Sequence, residues 1–158
     1  MEHDVAQESQ IRFTSFMLMI PRNRAGEYRR AVLESLLVRS NFPFFTARGR
    51  GSELTCRGWM RPTETSEEYR VEVQYAANEA PDVRILEPDI AVNVALHMYG
   101  RGTLCLYDWR DQPWQNAWHL HQTVIPWTAE WLVFYELFLL TGKWLGHSAI
   151  HNGKTAGV

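Results

Sequence analysis

Apolar residues recur along the chain with two periods, and the change from one to the other marks out its elements. Between residues 24 and 39, Ala25, Tyr28, Val32, Leu36 and Leu37 return every three or four positions, while Arg29, Arg30 and Glu34 face elsewhere. That spacing predicts an amphipathic helix. Asn41 and Pro43 stop it, because proline has no N–H with which to continue the ladder. Period two follows. Strand candidates are residues 44–48, closed by Gly49-Arg50-Gly51, then 54–60, 69–75 and 83–86. The third is the clearest, with Tyr69, Val71, Val73 and Tyr75 alternating with Arg70, Glu72 and Gln74. Turns at 62–67 and 77–81 join the strands into an antiparallel meander.

From 88 to 126 neither period holds, and Gly100, Gly102 and Pro113 interrupt the chain. An irregular stretch of that length is commonly functional. Residues 128–141 read as a second helix, with Thr128 as its cap, Gly142 as its stop and Trp127, Trp131, Phe134, Tyr135 and Phe138 as core packing. An exposed subset of those aromatics is the alternative, as a docking surface. Residues 13–20 are apolar up to Pro21 and suit either a strand or a helix start. The ends, 1–10 and 150–158, are expected to be mobile, and the 158 residues to form one domain.

Composition narrows the function classes. Hydrophobic residues make up 46% of the chain, enough for a core. Sixteen Lys and Arg against eighteen Asp and Glu give a net charge of −2, so no strong field favours nucleic acid or anionic lipid. The local cluster from Arg22 to Arg30 reads first as the solvated face of a helix and second as a partner or nucleic-acid contact. The apolar run 125–140 is short for a bilayer and contains Glu130 and Glu136. With no signal peptide apparent and two cysteines too few for a disulfide framework, a soluble protein of the reducing cytoplasm is expected, with no membrane partner.

Cys105 is the chief candidate for chemistry, because it falls inside the irregular stretch, in Gly102-Thr103-Leu104-Cys105-Leu106-Tyr107. An ordinary thiol pKa of about 8.5 leaves a few per cent thiolate at neutral pH, sufficient for thioester exchange if the groups are well placed. Cys56, within a strand, reads as structural, and a buried small hydrophobe is the commonest role of any free cysteine. His119 and His121 would share a face on a strand, but a metal site would also need His147 and His151, and none is expected. A papain-like hydrolase, pairing Cys105 with His119 or His147 and Asp108, has the residue types but not the order of elements.

Residues 54–140 resemble the ubiquitin-conjugating (UBC) family in the order of their features. A hairpin, a proline-bearing turn and a fourth strand lead to His97, then to the Gly102–Leu106 stretch with its Cys-Leu, then to Arg110-Asp111-Gln112-Pro113-Trp114 and a final helix. The likeness is closer to the bacterial members found in anti-phage CBASS operons. It rests on the Gly-x-Leu-Cys-Leu-Tyr box and on the later signature of Ile125, Pro126, Trp127, Thr128, Glu130, Trp131, Leu132, Tyr135, Glu136, Thr141, Gly142, Trp144, Leu145 and Gly146. The resemblance implies an α+β, UBC-like fold: an N-terminal helix, a four-stranded antiparallel meander, an active-site loop and C-terminal helices. It implies that Cys105 is the nucleophile, presented to solvent on a rigid bend, and that His97 holds the loop or assists proton transfer. Tyr99, Tyr107 and Trp114 are expected to shape the loop.

The implied activity is acyl transfer without a cofactor, in which Cys105 takes the C-terminus of a partner protein, a cGAS-like nucleotidyltransferase, as a thioester. The alternative is an inactive UBC-like scaffold that binds and regulates the synthase. The eukaryotic family's His-Pro-Asn is absent: Met98 and Tyr99 follow His97, eight residues ahead of Cys105. Oxyanion support must then come from backbone N–H groups or Tyr99, with Asn93 and Asn116 as further candidates. No Gly-rich nucleotide loop of an adenylating domain is seen, so activation is expected to come from elsewhere.

Overall fold

A computed structural model of the protein describes residues 22–146. The segment 13–20, the two ends expected to be mobile, His147 and His151 lie outside the described residues. Helix α1 (Arg22–Asn41) leads into strands β1 (Phe45–Arg50), β2 (Glu53–Met60), β3 (Tyr69–Ala76) and β4 (Asp82–Glu87), then a single 3-10 turn (Val94–Leu96) and helix α2 (Val124–Thr141). The strands pair in sequence order, each antiparallel to the next, so the meander read from the period-two pattern is present. The fold is α+β and UBC-like.

Helix α1 ends as its sequence dictates. The Asn41 side-chain amide donates to the Leu37 carbonyl, the Phe42 N–H to Val38, and Pro43 follows. Its orientation differs from the sequence expectation. Tyr28, Val32, Leu33 and Leu36 are exposed, whereas Ala31, Glu34 and Val38 are buried beneath β1 and β2. A carboxylate goes inward because three groups meet it there. Arg30 lies 3.0 Å from Glu34 Oε1, His119 Nδ1 lies 2.7 Å from the same oxygen, and the Leu120 N–H donates to Oε2 at 2.9 Å. Arg30 also donates to the Trp118 carbonyl at 2.6 Å. Glu34 thereby clasps α1 to the segment that enters α2.

On the sheet, alternate residues behave as the pattern requires. Leu54, Cys56, Tyr69, Val71, Val73, Tyr75 and Val83 are buried in one cluster with Leu120, Val124, Ile125, Trp131 and Leu132. Each fully buried aliphatic side chain there contributes about 1.5–3 kcal/mol. The approach is tightest at Gly58, where a Cβ would stand 2.4 Å from the Phe45 ring, so only glycine fits.

Helix α2 begins four residues earlier than expected. Thr128 is inside it, its hydroxyl bonded to the Val124 carbonyl, and Thr123 precedes it without a side-chain cap. Gly142 stops it in the left-handed region, φ 72°, its N–H bonded to Phe138. By length and composition this helix is apolar enough to cross a membrane, yet its own carboxylate ties it to the sheet. Glu136 accepts from the Ser66 hydroxyl (2.7 Å), the Glu67 N–H (3.1 Å) and the Tyr69 hydroxyl (3.0 Å). Burial first, then that bond, raises the Tyr69 pKa above its ordinary value.

Candidate functional site

The irregular stretch after β4 contains a small hairpin that the sequence pattern did not reveal. Asn93 opens the 3-10 turn by accepting the Ala95 N–H, and His97 closes it in the left-handed region, φ 54°. The chain then pairs with itself. Met98 faces Leu104 in an antiparallel bridge, the Cys105 N–H donates to the His97 carbonyl at 2.8 Å, and the Tyr99 N–H donates to Thr103 at 2.8 Å. Gly102, at φ 81°, ends a three-residue loop whose N–H returns to the Tyr99 carbonyl. This is the physical reason for the glycine in the Gly-x-Leu-Cys box. The hairpin is tied down on two sides. The Leu104 N–H donates to Val83 of β4 at 2.9 Å, and the Trp131 indole N–H of α2 donates to the Leu96 carbonyl at 2.9 Å.

Register decides which side chains meet at the sulfur. Residue 105 stands opposite 97, and 103 opposite 99; His97 and Cys105 line one cleft, and Tyr99 lines the neighbouring one with Tyr107. The thiol donates to the Tyr107 carbonyl across 3.6 Å, and Tyr99 lies near enough to the sulfur to interact with it. Burial above all, then the interaction with Cys105, raises the Tyr99 pKa. Its hydroxyl therefore stays protonated beside the sulfur. Burial, with Cys105 and Asp82 nearby, raises Tyr107 as well.

Cys105 is not on an open surface. The residue is 8% exposed and forms part of the wall of a narrow cleft of about 50 Å³, shared with His97, Leu106, Trp127, Glu130 and Trp131. Phe134 and Trp144 close it, and the His97 and Trp144 rings are 5.3 Å apart. The expected solvent-facing bend is thus replaced by a sulfur in the wall of a cleft lined largely by aromatic rings. A ligand reaching it must be slender. Cys56 differs sharply. It is fully buried in the core, and burial, aided by the Glu34 charge, pushes its thiol up to about 12.

Tyr107 and Trp114 pack into one aromatic cluster with Trp118 and Trp127. Tyr107 lies 6.2 Å from Trp114 and 5.6 Å from Trp127, and Trp114 lies 5.4 Å from Trp118. The residues after the cysteine are held by these rings to the first turn of α2. Of the residues named from sequence, the fold brings Cys105, His97 and Tyr99 together, with Tyr107 and Trp114 behind them. Asn93 is occupied as a cap, and neither it nor Asn116 lines the cleft. His119 is engaged by Glu34, away from the cysteine, so the papain-like pairing with His119 does not form. Among the described residues no three His, Cys, Asp or Glu side chains gather as a metal site. The roles of Trp131 and Trp144 at the cleft were not read from the sequence, although both lie in the Trp-Leu pairs of the later signature.

A four-stranded meander between two helices, followed by a cysteine on a docked hairpin, defines a protein of the UBC-like class. The chain belongs to the type II CBASS E2 protein family, E2-CBASS, whose model matches residues 34–152. It is accordingly an E2-like protein of anti-phage defence, and the family implies a protein partner within the CBASS system. A comparison with curated proteins gives no match.

Proposed function

We propose that the protein carries an acyl group as a thioester on Cys105, accepting the C-terminus of a cGAS-like nucleotidyltransferase in the cytoplasm. The observation that supports this most is the sulfur in the wall of a slot that His97 also lines, with Tyr99 near the sulfur. In the reaction, Sγ attacks the carbonyl carbon of an activated C-terminus, an acyl adenylate or a thioester supplied by another protein. A C–S bond forms, the adenylate or donor thiolate leaves, and the thiol proton passes to that leaving group or to His97. The Tyr99 hydroxyl, protonated and near the sulfur, would offer a donor for negative charge that develops there. A narrow slot suits an extended peptide end and excludes a folded surface.

Intact-mass measurement of the chain mixed with its partner synthase and the activating proteins of its operon tests the reading. An adduct that thiols remove, lost in Cys105→Ala and kept in Cys56→Ala, is the expected result. A stable complex of unchanged mass, indifferent to either cysteine, would replace the enzyme by the scaffold.

A further inference from the structure

The face of the sheet turned away from the core carries a surface that the thioester chemistry does not use. Period-two alternation sends Arg48, Arg50, Arg57 and Arg70 outward, where they line a groove of about 540 Å³ together with Phe44 and Trp59. No carboxylate is among the lining residues. Arg57 pairs with Glu72 and Arg70 with Glu87, but among the described residues Arg48 and Arg50 have no ion-pair partner. In a chain of net charge −2, this concentration of cations is local. Phe44 is 81% exposed and Trp59 49%. The same two rings also border an adjoining apolar groove of about 690 Å³, floored by Met60, Pro62, Ile125 and Pro126. The basic and apolar grooves are therefore continuous through one aromatic ridge.

We propose that this surface docks an acidic, extended segment of a partner protein that ends in bulky apolar residues. Its carboxylates would meet Arg48 and Arg50, and its apolar end would enter the groove beside Phe44 and Trp59. Charge complementarity selects the acidic part, and the apolar groove selects a peptide over a nucleic acid. Arginine on an edge strand also guards against strand pairing, but that duty calls for neither a groove nor a phenylalanine this exposed. None of these residues lines the Cys105 cleft, so the surface can be altered without touching it.

Fluorescence anisotropy of the full chain tests this with a fluorescein-labelled peptide carrying an Asp/Glu run followed by Phe-Leu. A labelled oligothymidylate serves as the competing class. Saturable peptide binding that weakens with salt is expected. Arg48→Glu/Arg50→Glu and Phe44→Ala should each lower the affinity about ten-fold or more, with Arg48→Gln/Arg50→Gln in between. Absence of saturable binding, equal binding by folded variants, or tighter binding of the oligonucleotide would each overturn the proposal.

Discussion

Trp131→Phe deletes one N–H and keeps an aromatic ring, which isolates the bond between the core helix and the cysteine hairpin. That N–H donates to the Leu96 carbonyl at 2.9 Å in a buried setting, and Leu96 itself is 4% exposed. The net loss of such a bond is about 0.5–1.5 kcal/mol, and leaving the buried carbonyl unpaired adds about 1–3 kcal/mol. The smaller ring also gives up part of the stack on Tyr135, whose centroid is 5.5 Å away at 8°. Together a destabilisation of about 2–4 kcal/mol is expected, read as a lower urea midpoint at unchanged slope. The distribution matters more than the total. Leu96 immediately precedes His97, so the amides of Tyr99, Leu104 and Cys105 should lose hydrogen-exchange protection beyond those of Val71 and Val73. Thioester formation should slow about ten-fold as the sulfur drifts from its place. If the midpoint falls but the hairpin amides lose no more protection than the sheet, the indole only fills the core and the positioning argument is wrong.

Two further outcomes follow from buried groups. Glu34→Ala leaves Arg30, His119 and the Leu120 N–H without their shared acceptor, and should cost about 3–5 kcal/mol in urea unfolding. Glu34→Gln should cost less, and a loss no greater than that of the exposed Glu64→Ala would refute the clasp. Cys56 has its pKa raised from 9.0 to about 12 on folding, so the folded state holds the proton more tightly. Stability is then complete below pH 9 and declines as pH rises towards 12, by about 1.4 kcal/mol per pH unit. The volume-matched Cys56→Val should flatten that decline when urea midpoints are compared across the range, and identical slopes for both chains would sink the assignment.

Local spacing alone determined the first helix, the four strands and the body of the second helix. The alternation of Tyr69, Val71, Val73 and Tyr75 can satisfy only one face of a strand, and Pro43 and Gly142 stop helices for reasons contained in single residues. Cys105 could be singled out from the resemblance and from its irregular surroundings. What lay beyond the sequence was every decision made by a partner far along the chain. Glu34 belongs on a polar face until His119 and Leu120, 85 and 86 residues away, supply the bonds that bring it inside. Tyr28, Val32 and Leu36 follow the helical period yet remain exposed, because periodicity fixes a stripe and not its orientation towards the sheet. The hairpin of Met98 and Leu104 is too short to have a period, and it exists because Val83 and Trp131 hold it from either side. The sequence therefore singled out Cys105 as a candidate, while tertiary packing set its sulfur in the wall of a cleft with His97, Trp131 and Trp144.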